Sequence, residues 1–270
     1  DSTGRANGVG SNIAGTFNGT SFTSANARSL ACHTGGACGT GPAVNWDFSA
    51  TGAWFMIDGQ TRPFLRAEYS TTITNAHQLQ LMAMDLGASY TLGRNIDAAE
   101  TSGATAAGMW TTSGFSPVGT LATAFTGTLA GLGRTVSDLT INRPGTNTVG
   151  LIGRMNGASA LVTDIGLVGG SVTGGSDTGA LVGSNSGGTV QQSYATSQVT
   201  GGGGRVGGLV GINSGTVIRS YATGAVLGGG GVGGLVGFNN AGTVQQSYAT
   251  GSVGIGAAGF DGSAGGLVGL

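Results

Sequence analysis

The residues able to do chemistry in this chain are few and scattered. Cys32 and Cys38 bracket His33-Thr34-Gly35-Gly36-Ala37, a spacing that in a secreted chain favours a local disulfide closing a small hairpin-like loop over two free thiols. A metal site needs about four ligands, and only Cys32, His33 and Cys38 are at hand, so no metal is assigned. His77, the other histidine, stands alone and reads as a surface residue. Polysaccharide lyases and hydrolases require clustered carboxylates, a bound cation or a strong base. From Thr178 to Phe260 there is no acidic residue, and the only charges are Arg205 and Arg219. Elsewhere Asp85, Asp97, Glu100 and Asp138 lie singly, as hydrogen-bonded corner or surface residues would. The glycine runs Gly201–Gly204 and Gly228–Gly231 lead into neither a Lys nor a helix, which a phosphate-cradling loop demands. The chain therefore predicts no enzyme, no cofactor and no metal.

What recurs instead is a pattern of aromatic and hydroxyl residues. Tyr194, Tyr221 and Tyr248 are spaced by 27 and 27 residues, as are Val199, Val226 and Val253, and Thr189, Thr216 and Thr243. If Ser193, Ala195 and Val199 face inward, the alternation of a strand turns Tyr194, Thr196 and Gln198 outward. The three tyrosines are then a candidate surface ladder beside a row of threonines. The small Ser and Ala suit a tight corner and favour this register; the opposite one makes Tyr part of the core. An ice-binding sheet would want flat, uninterrupted Thr arrays, and the intervening Tyr and Gln argue against it.

The element that must position such a ladder is a repeat. Gly207-Gly208-Leu209-Val210-Gly211 recurs as Gly233-Gly234-Leu235-Val236-Gly237 and Gly265-Gly266-Leu267-Val268-Gly269, with a looser copy at Gly179-Ala180-Leu181-Val182-Gly183. A strict short period means stacked units, each too small to bury an apolar face alone. One unit holds three apolar runs, Gly208 to Ile212, Thr216 to Thr223 and Ala225 to Leu227, separated by Asn213-Ser214-Gly215 and by Gly228 to Gly231. Three strands and three corners predict an all-β fold, a right-handed parallel β-helix, in which like residues stack at the strand separation of about 4.8 Å. Asn185, Asn213 and Asn239 follow the first strand of each coil, where a side-chain amide can bond along the stack and tolerate a left-handed turn.

Composition agrees. Of 270 residues 58 are Gly, 8% are charged and 39% hydrophobic, with a net charge of -1. Four prolines and no Gly-X-Y period exclude collagen, and β-branched residues returning on schedule exclude disorder. All ten basic residues are Arg, scattered without runs, so nothing forms the basic stripe that nucleic acid requires. No stretch approaches the roughly 18 apolar residues of a membrane span, and no secretory signal opens the chain.

Three stretches separate by pattern. Residues 1–66 are rich in Gly, Ser, Thr and Asn and end in the aromatic run Trp46 to Leu65, read as paired strands with a turn at Asp58-Gly59. Residues 67–148 hold the one convincing helix, near residues 73–86, with Asn75 or Thr74 as cap and Gly87 as stop. Residues 149–270 carry the repeats. Asp1 begins in mid-pattern and Leu270 stops within a fresh copy, which reads as a section of a longer chain.

The copies Gly207 to Val217 and Ser220-Tyr221-Ala222-Thr223-Gly224-Ala225-Val226 resemble the GLUG-type repeat of large bacterial surface proteins. Leu79 through Asn95-Ile96-Asp97, Gly114 to Gly119, Phe125-Thr126-Gly127 and Leu139-Thr140-Ile141 are similar to the lead-in of such repeats in filamentous haemagglutinin-like adhesins of the two-partner-secretion type. Trp46 to Leu65 resembles the aromatic tail that closes a block. The resemblance implies that residues 1–66 finish one block and that 67–148 lead into the next. It also implies an extracellular stalk on a Gram-negative cell surface, serving attachment, cell–cell contact or biofilm. Its partners would be an unknown receptor or glycan and neighbouring repeats, with lateral self-association. The alternatives are a β-helical carbohydrate-binding or polysaccharide-processing protein, or a self-assembling extracellular filament subunit. Departures are mild: Ala at position 180, and Phe260-Asp261-Gly262 inserted in the loop after Val253.

Overall fold

A computed structural model describes residues 25–36, 45–104, 108–256 and 262–269. Its repeat region is a β-solenoid of parallel, stacked coils. From Val210–Asn213 the chain turns into Thr216–Ile218, Tyr221–Ala222, Val226–Gly228 and Val232–Gly233, then returns as Val236–Asn239 directly above its start. Each segment pairs in parallel with its counterpart one coil on. The coils build a five-stranded sheet, two four-stranded sheets and an eleven-stranded sheet. Val172, Val199, Val226 and Val253 lie in register, as equal spacing requires.

Why these residues form these strands follows from two constraints. Inward positions are small and apolar: Leu209, Val210, Val217 and Ala222 are each fully buried, so each coil closes over an interior that only its neighbours can complete. At the corner that the Gly-Gly-Leu-Val-Gly element turns, backbones of successive coils touch. A Cβ on Gly207 would collide with the carbonyl oxygen of Val210 and the amide nitrogen of Gly237, and one on Gly211 with the carbonyl oxygen of Gly183. These glycines therefore recur because only a hydrogen atom fits.

The coil has more corners than the expected three. Val206–Gly207 and Val210–Asn213 are separate strands on different sheets, and the run Thr216 to Thr223 breaks into Thr216–Ile218 and Tyr221–Ala222. The break is a residue in the left-handed region, stacked through four coils: Asp164, Gln192, Arg219 and Gln246 have φ of 53°, 48°, 49° and 50°. That kink lets Val217 and Ala222 both point inward.

At the amino-terminal base the long strand Thr128–Ser137 pairs with Leu161–Val168, with a register shift between Ala130 and Arg134. The helix is shorter than 73–86. It spans Ala76–Leu81 and ends in a single 3-10 turn, Met82–Met84. Asn75 caps it, its Oδ1 accepting from the Gln78 amide at 2.9 Å. The sheet claims the expected first turn, because Thr72–Ile73 pairs in parallel with Thr91 and Leu92 and Ile73 is buried. Trp54–Phe55 and Phe64–Leu65 pair antiparallel, with Gly59 at φ +69° between them. Phe64 joins Ile73, Ala76, Leu79 and Trp110 in one core, so the described part of residues 1–66 forms the base on which the coils stand.

Candidate interaction surface

The Ser-Tyr-Ala-Thr unit shows how the sequence aims a tyrosine. Ser193 and Ser220 are buried, and each hydroxyl donates to the carbonyl two residues back, Gln191 at 2.7 Å and Ile218 at 2.9 Å. Each hydroxyl oxygen also accepts an amide from the coil below: the Ile165 amide donates to Ser193 at 3.4 Å, Ser193 to Ser220 at 3.2 Å and Ser220 to Ser247 at 3.1 Å. The serines thus satisfy the backbone left open by the left-handed kink before them. Ala195 and Ala222 are buried one step further on, so the alternate residues Tyr194, Tyr221 and Thr196, Thr223 face out.

The tyrosines form one continuous stack. Ring centroids of Tyr194 and Tyr221 are 4.8 Å apart with planes inclined by 5°, and those of Tyr221 and Tyr248 are 4.9 Å apart at 4°. Below the first, Tyr194 leans over Gly166, where a Cβ would meet its hydroxyl and ring. Tyr248, in the last coil described at this position, is 52% exposed. Burial, then the two neighbouring phenols, push the Tyr221 hydroxyl above its ordinary value, so it stays neutral and can both donate and accept. Beside the stack run the columns Thr189–Thr216–Thr243 and Gln191–Ile218–Gln245 on one side and exposed Thr196, Thr223 and Thr250 on the other.

A second ladder is internal. Asn185 Nδ2 donates to Asn213 Oδ1 at 2.9 Å, and Asn213 Nδ2 to Asn239 Oδ1 at 2.8 Å. Each asparagine also ties its own corner: Asn185 holds the Gly188 amide at 2.9 Å and Asn239 the Gly242 carbonyl at 2.7 Å. Asn185 and Asn213 are buried, and the position beneath them is Met155, where the amide column begins. Asn185 and Asn213 are committed to the column and to their own corners.

Of the remaining chemistry-bearing residues, the aspartates lie apart and only His77, Glu68 and Glu100 come together. Asp85 and Asp97 accept the amides of Gly87 and Ala99 at 3.0 and 2.9 Å. Asp177, at the corner below Arg205, pairs with the Arg205 guanidinium at 2.5 Å; burial pushes its carboxyl upward and the arginine opposes that shift. Among the described residues no group of three His, Cys, Asp or Glu side chains could hold a metal, and no helix is long and apolar enough to cross a membrane. Cys32 is buried in the short helix Leu30–His33, while Cys38 lies outside the described residues. His77 is not an isolated surface residue. Its Nδ1 lies 3.0 Å from Glu68 and its Nε2 3.7 Å from Glu100, and its ring packs edge-on against Phe64 and Trp110. It ties three elements of the base together.

Over 127 residues the chain is 44% identical to halomucin of Haloquadratum walsbyi (strain DSM 16790 / HBSQ001). That match spans 46% of this chain and 1% of halomucin. No protein-family profile and no solved structure matches the chain. The solenoid and this likeness together fit a repeat-containing structural or surface protein.

Sequence reasoning set the tyrosines in one row from their constant period, and the asparagines at corners from their place after the first strand of each coil. It missed the serine column and the clamp at His77. The serine signal was present, since Ser193 and Ser220 share the 27-residue period. The His77 clamp has none, because Glu68 and Glu100 are brought to it only by packing.

Proposed function

We propose that this segment is a non-enzymatic stalk of a longer secreted surface protein, acting by extension and by repeated weak contacts along its tyrosine face. The observation that carries the reading is the uninterrupted parallel stacking from Thr140–Asn142 to Val253–Ile255, because a rod built this way adds reach with every coil while its interior is spent on cohesion. The repeats from Thr178 to Phe260 supply no carboxylate for acid–base work on a glycan. Attachment to surfaces or to other cells is then a matter of copy number, as modest sites along one stalk gain from effective concentration. By resemblance the carrier is an adhesin of the Gram-negative envelope. The likeness to halomucin supports the surface setting without selecting that envelope.

The test is to immobilise the chain on beads and measure attachment to cells and to surfaces, alongside turnover of each member of a glycan panel. The expected result is weak attachment that grows with surface density and falls when Tyr194, Tyr221 and Tyr248 are all replaced by Ser, with circular dichroism unchanged. Turnover of any glycan would overturn the non-enzymatic reading. Attachment indifferent to the triple substitution would leave the face without a role.

A further inference from the structure

We propose that the tyrosine face is the docking surface for a second copy of this chain, lying alongside with its long axis aligned. The inference rests on the stalk reading above and names that stalk's partner.

Ring geometry decides first what the row cannot offer. A sugar ring stacks on the open face of an aromatic, but here each tyrosine covers the next at 4.8 and 4.9 Å with planes within 5°. Gly166 lies under Tyr194, so among the described coils only the outer side of Tyr248 is an open platform. The row presents ring edges and phenol hydroxyls. These repeat at the strand step of about 4.8 Å, as do the threonine columns beside them. A surface that matches this step coil after coil, without drifting out of register, is another solenoid of the same rise, and a second copy has that rise by construction.

Chemistry agrees with a self-pairing. Hydroxyls of Tyr and Thr and the amides of Gln191 and Gln245 all both donate and accept, so the same patch on two molecules related by a two-fold axis is complementary to itself. From Thr178 to Phe260 the only charges are Arg205 and Arg219; the kink column next to the ladder carries Arg219 and, two coils below it, Asp164 of opposite sign. Two such faces meet without a block of like charge. Stacked aromatics at the strand step are also among the elements from which paired sheets in fibrils are made.

Area sets the strength. Three coils span on the order of 14 Å, and the face across them on the order of 25 Å, giving roughly 350 Å² against the roughly 800 Å² per partner of a standard interface. One chain should therefore pair weakly, and pairing should strengthen steeply when copies are joined.

The experiment is sedimentation of the whole chain and of head-to-tail fusions of two and four whole chains, with the contour length of each fusion read by atomic force microscopy. The expected result is a monomer for the single chain at micromolar concentration and side-by-side dimers for the four-chain fusion, with an apparent Kd at least ~100-fold tighter. Tyr194→Ser, Tyr221→Ser and Tyr248→Ser together should abolish the gain. The three Tyr→Phe changes keep the stack and remove only the hydroxyls, so they should weaken pairing without unfolding the rod. A four-chain fusion that stays monomeric, or one whose pairing survives both sets of changes, overturns the docking face. So does a fusion that binds a soluble linear glucan through the tyrosines instead of itself. Monomeric fusions whose length still grows by a fixed step per chain would leave the stalk reading standing, whereas compact fusions would sink the stalk itself.

Discussion

Replacing Asn213 by Ala tests the internal amide column where it is most completely enclosed. Asn213 is fully buried and makes four short contacts: it donates to Asn239 Oδ1 at 2.8 Å and to the Gly215 carbonyl at 3.2 Å, and accepts from Asn185 Nδ2 at 2.9 Å and from the Gly215 amide at 3.2 Å. At about 1 kcal/mol net each, the sum is about 4 kcal/mol. Part of it survives, because Asn185 Nδ2 keeps the Gly188 carbonyl at 3.0 Å and half-buried Asn239 can turn to water, leaving a loss of roughly 2–3 kcal/mol. Asn239→Ala, at the outer end of the column, should cost about 1 kcal/mol. Because each coil is held by its neighbours, the damage should stay local. Amide hydrogen exchange is the assay, and at tenfold per 1.4 kcal/mol the amides of Gly215, Thr216 and Thr243 should exchange roughly 30–150 times faster, while those of Val172 and Val182 keep their protection. Equal effects at positions 213 and 239, or unchanged exchange at Gly215, would refute the claim that the buried amide column holds the coils together.

Val217→Asp places a charge at a fully buried position, between buried Val190 and half-buried Val244. It should cost roughly 3–5 kcal/mol and open the chain to protease at Gly228–Gly231, whereas Thr216→Asp on the outer side of the same strand should be tolerated. Cys32 and Cys38 should resist alkylation until reductant is added in protein recovered from the cell surface, and Cys32→Ser should weaken the base by ~2–3 kcal/mol without melting the coils; immediate double alkylation would reject the pairing. Asp177 has its carboxyl raised by burial despite Arg205, so the folded chain binds a proton more readily there than the unfolded one. Its contribution is therefore largest below the unfolded value of about 3.9 and declines as pH rises through the higher folded value. Asp177→Asn, compatible with φ of 55°, should remove that slope and leave stability at neutral pH equal or higher. A variant clearly less stable at pH 7 would show that the Arg205 pair outweighs desolvation.

The coil was legible in the sequence because stacking puts like on like. Val199, Val226 and Val253 can share one column only if their spacing is constant, so the period is the register. The small pair Ser193 and Ala195 likewise announced which side of the strand turns inward. What the sequence hid are features with no compositional mark. A left-handed Gln192, Arg219 or Gln246 looks like any polar surface residue, so the kink that splits Thr216 to Thr223 was invisible, and with it the two extra corners per coil. The helix was overdrawn because Ile73, in its expected first turn, completes a sheet with Leu92 that buries it. His77 looked solitary because its neighbours Glu68 and Glu100 lie on other elements.

The amide column has an arrow. In both described rungs the Nδ2 group of the earlier coil donates to the Oδ1 of the later one, Asn185 to Asn213 and Asn213 to Asn239, so the bond dipoles along the column add head to tail and polarise one another. Each finished coil therefore leaves a donor pointing at the place where the next asparagine will arrive, and that arrival both closes the previous coil and exposes a fresh donor. Coils that close in chain order each serve as the mould for their successor, and a backward slip of one coil would break a satisfied rung.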